Sequence, residues 1–135
     1  ASGKSNLIKG MGFLENFDMR DAKYLAYDFG HNSFKFFSGK MENCDMDWRG
    51  AWDSKVIVSE TSIKNCTFYL TNLDLELENC NVENCHFEGT LEPSVYLNST
   101  KFAGTNVFDI SVVDKGGNEG LENVVFNGRV FQWEG

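Results

Sequence analysis

A six-residue pattern, apolar–any–Asn–small–any–apolar, returns along this chain at a near-constant interval. Its fullest copy is Val82-Glu83-Asn84-Cys85-His86-Phe87. It recurs as Met41-Glu42-Asn43-Cys44-Asp45-Met46 and as Ile63-Lys64-Asn65-Cys66-Thr67-Phe68. Looser copies are Phe102-Ala103-Gly104-Thr105-Asn106-Val107 and Leu121-Glu122-Asn123-Val124-Val125-Phe126, with a weak first copy at Met19-Arg20-Asp21-Ala22-Lys23-Tyr24. The starts at 19, 41, 63, 82, 102 and 121 lie 22, 22, 19, 20 and 19 residues apart. A fixed period near twenty marks a solenoid, in which each repeat is one turn that buries its apolar face only against its neighbours.

A finer period of five runs inside the longer one. One column holds Ile63, Phe68, Leu73, Leu77, Val82, Phe87, Leu97, Phe102, Val107 and Val112. Another, mostly two residues earlier, holds small or β-branched residues: Thr61, Cys66, Thr71, Cys80, Cys85, Thr90, Val95, Thr100, Thr105 and Ile110. Two inward positions followed by a polar corner do not fit the 3.6-residue period of an α-helix. Stacking the repeats one turn apart gives two apolar ladders: Met46, Phe68, Phe87, Val107 and Phe126, and beside it Met41, Ile63, Val82, Phe102 and Leu121. A slip of one residue would turn either ladder outward.

These pentads resemble the pentapeptide-repeat family, whose loose consensus is a small residue, any residue, a large apolar residue and two polar ones. The resemblance covers about residues 7–133 and continues upstream as FDMRD, AKYLA, YDFGH and NSFKF. It implies an all-β fold, a right-handed quadrilateral parallel β-helix of about six turns with about 20 residues per turn. The domain expectation is a single unit over 1–135, with an irregular N-terminal cap at about 1–11 and a loop at about 114–120. Frame slips near Phe37 and Ser59, and Glu92 in a core column, mark the expected bulges.

The cysteines and asparagines follow from this register. Cys44, Cys66 and Cys85 share the small inward column, with Thr105 and Val124 above them, and read as buried packing residues. Side chains in parallel stacks point alike, which disfavours disulfides between them. Reduced core cysteines point to a reducing, cytoplasmic compartment. The sequons at Asn65 and Asn98 would instead accept glycans in an extracellular or luminal setting. Asn43, Asn65, Asn84, Gly104 and Asn123 fall at the corner before that column, where left-handed backbone favours Asn and Gly.

Chemistry is sparse. The histidines are His31 and His86; strand alternation points His86 away from inward Cys85, so no Cys–His nucleophile forms. No CxxC, no Cys–His pair at ligand spacing, no phosphate-binding loop and no HExxH occurs, so neither a cofactor nor a metal site is expected. Asp45 with Asp47, or Glu83 with Glu88, would sit on a wall rather than in the cleft that paired catalytic carboxylates need. The chain reads as non-enzymatic.

Twenty acidic residues against twelve Lys and Arg give a net charge of −8, which argues against direct binding to nucleic acid or an anionic membrane. No apolar run is long enough to span a membrane, and no signal peptide is visible. From Asn65 to Thr100 there is no Lys or Arg, while Asp74, Glu76, Glu78, Glu83, Glu88 and Glu92 all fall there. The family resemblance implies one use for such a stretch: an acidic DNA mimic that inhibits a nucleic-acid-handling protein such as DNA gyrase, commonly as a homodimer joined at a solenoid end.

A second reading is a receptor- or adhesin-like module that recruits a partner strand at the edge formed by residues 124–133. Val130, Phe131 and Trp133 are its candidate residues, with Phe131 and Trp133 expected to cap the core. The segment 63–68 is similar in style to the luminal β-helix of synaptic vesicle glycoproteins, which supports that alternative. A structural segment of a larger protein is the third.

Overall fold

A computed structural model describes residues 5–9, 12–27, 33–50 and 53–134. The first turn consists of β1 (Ser5–Lys9), β2 (Gly12–Glu15) and β3 (Asp18–Arg20), the second of β4 (Lys23–Tyr27), β5 (Ser33–Phe37) and β6 (Lys40–Glu42). The third holds β7 (Asp45–Gly50), β8 (Lys55–Ser59) and β9 (Ser62–Lys64), and the fourth β10 (Thr67–Thr71), β11 (Asp74–Glu78) and β12 (Asn81–Glu83). Then come β13 (His86–Thr90), β14 (Ser94–Asn98) and β15 (Lys101–Ala103), followed by β16 (Asn106–Phe108) and β17 (Ser111–Asp114). A 3-10 turn at Leu121–Asn123 leads into β18 (Val124–Phe126) and β19 (Val130–Gln132).

Every strand pairs in parallel with its counterpart one turn away, and the pairs build three sheets. The first sheet is β1-β4-β7-β10-β13-β16-β18, the second β2-β5-β8-β11-β14-β17-β19, and the third β3-β6-β9-β12-β15. The chain is therefore an all-β parallel solenoid of about six turns. Sheet pairing starts at β1, inside the stretch expected to be an irregular cap. Residues 115–120 lie between β17 and the 3-10 turn without a strand, where the loop was expected.

The cross-section has three unequal sides in place of the four equal ones that pentads imply. In the fourth turn the inward residues are Cys66, Phe68 and Leu70 on one side, Leu73, Leu75 and Leu77 on the next, and Cys80 and Val82 on the third. Each is at most 2% exposed. The corners Asn65, Asn72, Asn79 and Asn84 all have positive φ, between 44° and 54°, and divide the turn into sides of seven, seven and five residues. Two sides thus carry a third inward residue, Leu70 and Leu75, at positions a pentad treats as polar.

The small inward column does more than pack. Its cysteines donate back to the carbonyl two residues earlier: Cys44 Sγ to Glu42 at 3.3 Å, Cys66 Sγ to Lys64 at 3.2 Å, and Cys85 Sγ to Glu83 at 3.3 Å. Thr61 Oγ1 does the same to Ser59 at 2.8 Å, and Thr100 Oγ1 to Asn98 at 3.1 Å. A corner carbonyl turned toward the core would otherwise lose its water without a replacement. Cys and Thr are small enough to fit and still donate. All four cysteines are free thiols and buried. Burial pushes the Cys80 thiol up to about 11, so it stays protonated near neutral pH.

One ladder departs from expectation. Phe68 pairs with Met46 and Phe87 as predicted, but Phe87 is opposite Phe108, not Val107, and Phe108 is opposite Phe126. An extra residue, Thr105, follows the Gly104 corner and stays exposed, so Asn106 takes the inward place above Cys85. Asn106 accepts from Cys85 N through Oδ1 at 2.9 Å and donates to Ala103 O through Nδ2 at 3.0 Å. It fills the role of a Cys or Thr with a longer side chain. The other ladder keeps its register from Met41 through Ile63 and Val82 to Phe102.

An aromatic column follows from this packing. Ring centroids run from Phe36 to Trp48 at 5.4 Å, Phe68 at 5.3 Å, Phe87 at 4.7 Å, Phe108 at 4.4 Å and Phe126 at 5.6 Å. Among the described residues no helix is long and apolar enough to cross a membrane.

Candidate functional site

The six carboxylates between 74 and 92 do not share a wall. Asp74, Glu76 and Glu78 alternate with inward Leu75 and Leu77 along β11, on the second sheet. Glu83 ends β12 on the third sheet, Glu88 lies in β13 on the first, and Glu92 occupies an exposed corner at φ 55°. Successive sides of a solenoid face different directions, so closeness in sequence scatters these charges around the rod. Glu76 is also buried, 7% exposed, and its Oε1 takes an ion pair from Lys115 Nζ at 3.3 Å. Lys115 comes from the loop after β17, outside the stretch that lacks cations, and neutralises its middle. Burial raises the Asp74 carboxyl above the ordinary carboxylate range, with Lys55 opposing the shift.

At the C-terminal end the chain presents apolar surface. Val130 pairs with inward Val112 and Phe131 with Val113, which places Val130 over the core and Phe131 on the outer wall of the second sheet. Trp133 folds onto the same wall, its ring 6.3 Å from that of Tyr96, with Lys115 Nζ 4.9 Å above it. Phe131 and Trp133 therefore do not cap the core. That task falls to Phe126, which stacks on Phe108, and to Leu121 and Val124, which also pack against the core. Val125, Val130, Phe131 and Trp133 remain 43–50% exposed.

The second sheet ends at β19. Val112 N donates to Arg129 O at 2.8 Å and Trp133 N to Asp114 O at 2.8 Å. In a parallel ladder, alternate residues turn to opposite sides. Among the described residues no strand lies beyond β19 in this sheet, and the amides and carbonyls of Val130 and Gln132 consequently point away from β17.

A third feature was not legible in the sequence. His86 is outward, as strand alternation requires, and its Nε2 lies 2.5 Å from Asp109 Oδ2 and 3.4 Å from Glu88 Oε2. Asn127 Nδ2 donates to the other oxygen of Asp109 at 2.6 Å. That bond, and then the one to His86, hold the Asp109 carboxyl below its ordinary range. Asp109 follows β16 one turn along, and it reaches His86 because the extra residue at Thr105 aligns His86 with Val107. A shallow groove of about 360 Å³ opens beside the cluster, lined by Arg49, Tyr69, Glu88, Thr90 and Asp109. Of the remaining candidate wall carboxylates, Asp47 is committed to Arg49 at 2.7 and 2.8 Å, which holds its carboxyl below the ordinary range. His31 lies outside the described residues.

No protein-family model, curated protein or solved structure matches the chain.

Proposed function

We propose that this solenoid is a non-enzymatic recognition module that binds a protein partner by adding a strand to β19. The observation that carries this reading is the pairing of a free sheet edge with half-exposed Phe131 and Trp133 on the wall beside it. Edge amides supply main-chain affinity, and flanking aromatic rings supply the anchors that enrich protein interfaces. The acidic-mimic reading draws less support, because five of its six carboxylates are spread over three sheets, Glu92 sits at a corner, and Glu76 is spent on Lys115. Membership of the pentapeptide-repeat family accounts for the turn length and the small–large inward pairs. The seven-seven-five division departs from it.

Partner capture with three forms of the chain separates the two recognition modes. Val130→Pro removes a free-edge donor while leaving the bonds to β17 intact, a placement that edge strands tolerate. A second variant carries the six acidic residues as Asn or Gln. Under edge recognition, Val130→Pro loses at least about tenfold in affinity, a cost of about 1.4 kcal/mol. The neutralised form keeps its partner at about 500 mM salt, where charge attraction is screened. The reverse pattern, with the proline form unaffected and the neutralised form inert, refutes strand addition and restores the acidic surface.

A further inference from the structure

We propose that His86, Glu88 and Asp109 bind a divalent transition-metal cation of the Zn²⁺ type on the outer wall of the first sheet. Their ligand atoms all lie within 4.8 Å of one another. His86 and Glu88 are two residues apart on β13 and project to the same side, and Asp109 reaches them from the next turn. One imidazole with two carboxylates is a mixed nitrogen–oxygen donor set of the kind that open zinc sites use, with at least one position left for water.

The distances can be tested against what a metal requires. Tetrahedral ligands about 2.0–2.1 Å from zinc sit roughly 3.3 Å from one another. His86 Nε2 and Glu88 Oε2 are already 3.4 Å apart. His86 Nε2 and Asp109 Oδ2, at 2.5 Å, must separate by less than about 1 Å. All three side chains are 37–40% exposed and have room for that movement.

A second contact supports the assignment. Asn127 holds Oδ1 of Asp109 and leaves Oδ2 toward the histidine, as outer contacts fix a carboxylate ligand in metal sites. The nearby cation, Arg49, is held by Asp47, and the groove beside the cluster lets a hydrated ion approach. The competing account is an ion pair between protonated His86 and the two carboxylates. It brings the same atoms together but predicts no affinity for a metal.

The experiment titrates the chelator-treated full chain with Zn²⁺ by calorimetry and with Co²⁺ by absorption, beside His86→Ala, Asp109→Asn and Asn127→Ala. The expected result is one equivalent bound, with Co²⁺ showing no thiolate charge-transfer band. His86→Ala and Asp109→Asn should each weaken binding at least tenfold, and Asn127→Ala about tenfold, the usual effect of removing an outer contact. The substituted groups are surface groups, so circular dichroism should show an intact fold in each variant. Absence of binding at about 1 mM metal overturns the site, since so weak an interaction is worth no more than about 4 kcal/mol. Binding that survives either ligand substitution, or that carries a thiolate band, overturns it equally.

Discussion

The turn between Asn65 and Asn84 and the turn that begins at Gly104 are written in the same repeat and fold to different degrees of completeness. In the former, every side is a strand, every corner is an Asn at positive φ, and every inward residue is shut off from water. In the latter, the third sheet receives no strand. Its place is taken by residues 115–120, held by a bridge between Lys101 and Glu119, and by the 3-10 turn. Asn123, expected to be a left-handed corner, lies in that 3-10 turn, and Gly120 supplies the positive φ of 83°. Val130 occupies an inward position yet is 43% exposed. The difference teaches that burial here belongs to the neighbouring turn and not to the residue. An inward side chain with a turn on both sides is sealed, and one with a turn on a single side is half-open.

That contrast can be broken most forcefully at the aromatic column. Phe87 lies between Phe68 and Phe108, while Phe126 touches Phe108 at the end of the same column. Phe87→Ala should cost about 3–5 kcal/mol in chemical denaturation, the range for a fully buried Phe, and Phe126→Ala less than half as much. Equal losses would mean that the last turn is as well sealed as the middle.

The two regions are joined by Lys115, which reaches back to Glu76 and lies over Trp133. Lys115→Met keeps the aliphatic stem but strands a buried carboxylate. A loss of about 2 kcal/mol is expected, below the 3–5 typical of fully buried pairs because Lys115 itself is 22% exposed. The double variant with Glu76→Gln should recover most of that loss. No recovery would show that the lysine acts through Trp133 alone.

The smallest expected difference is at the corners. Asn84 holds φ 54°, and its Oδ1 accepts from Thr105 N at 2.8 Å. Asn84→Ala should cost about 1–2 kcal/mol for left-handed backbone and the lost acceptor. Asn123→Ala, in the exposed 3-10 turn, should stay within about 0.5 kcal/mol. A comparable cost at both positions would return Asn123 to the corner ladder.

The interval of the repeat, the small–large inward pairs and the Asn corners were legible because each is fixed by local backbone geometry. The three-sided section was not, because Leu70 and Leu75 fall at the last position of a pentad, where a polar residue is expected, and two leucines there read as lapses in a loose consensus. The register change at Thr105 was hidden by chemistry: Val107 and Phe108 are both apolar, so either completes a ladder. The sites suffered most. Which wall a charged residue occupies depends on the seven-seven-five division, so a stretch without Lys or Arg, continuous in sequence, is spread over three sheets at Asp74, Glu83 and Glu88. The approach of Asp109 to His86, 23 residues away, depends on that same hidden register change.

The parallel pairing has a consequence for how the chain is made. Paired residues in the sheets are between 17 and 23 positions apart, with none drawn from opposite ends of the sequence. Ordinary parallel sheets fold slowly because their partners are distant. Here each new turn needs only the turn already finished. At synthesis rates of about 5–20 residues per second, a turn leaves the ribosome roughly every one to four seconds. Closing a loop of comparable length takes well under a millisecond, so the growing end has a completed template beneath it throughout elongation.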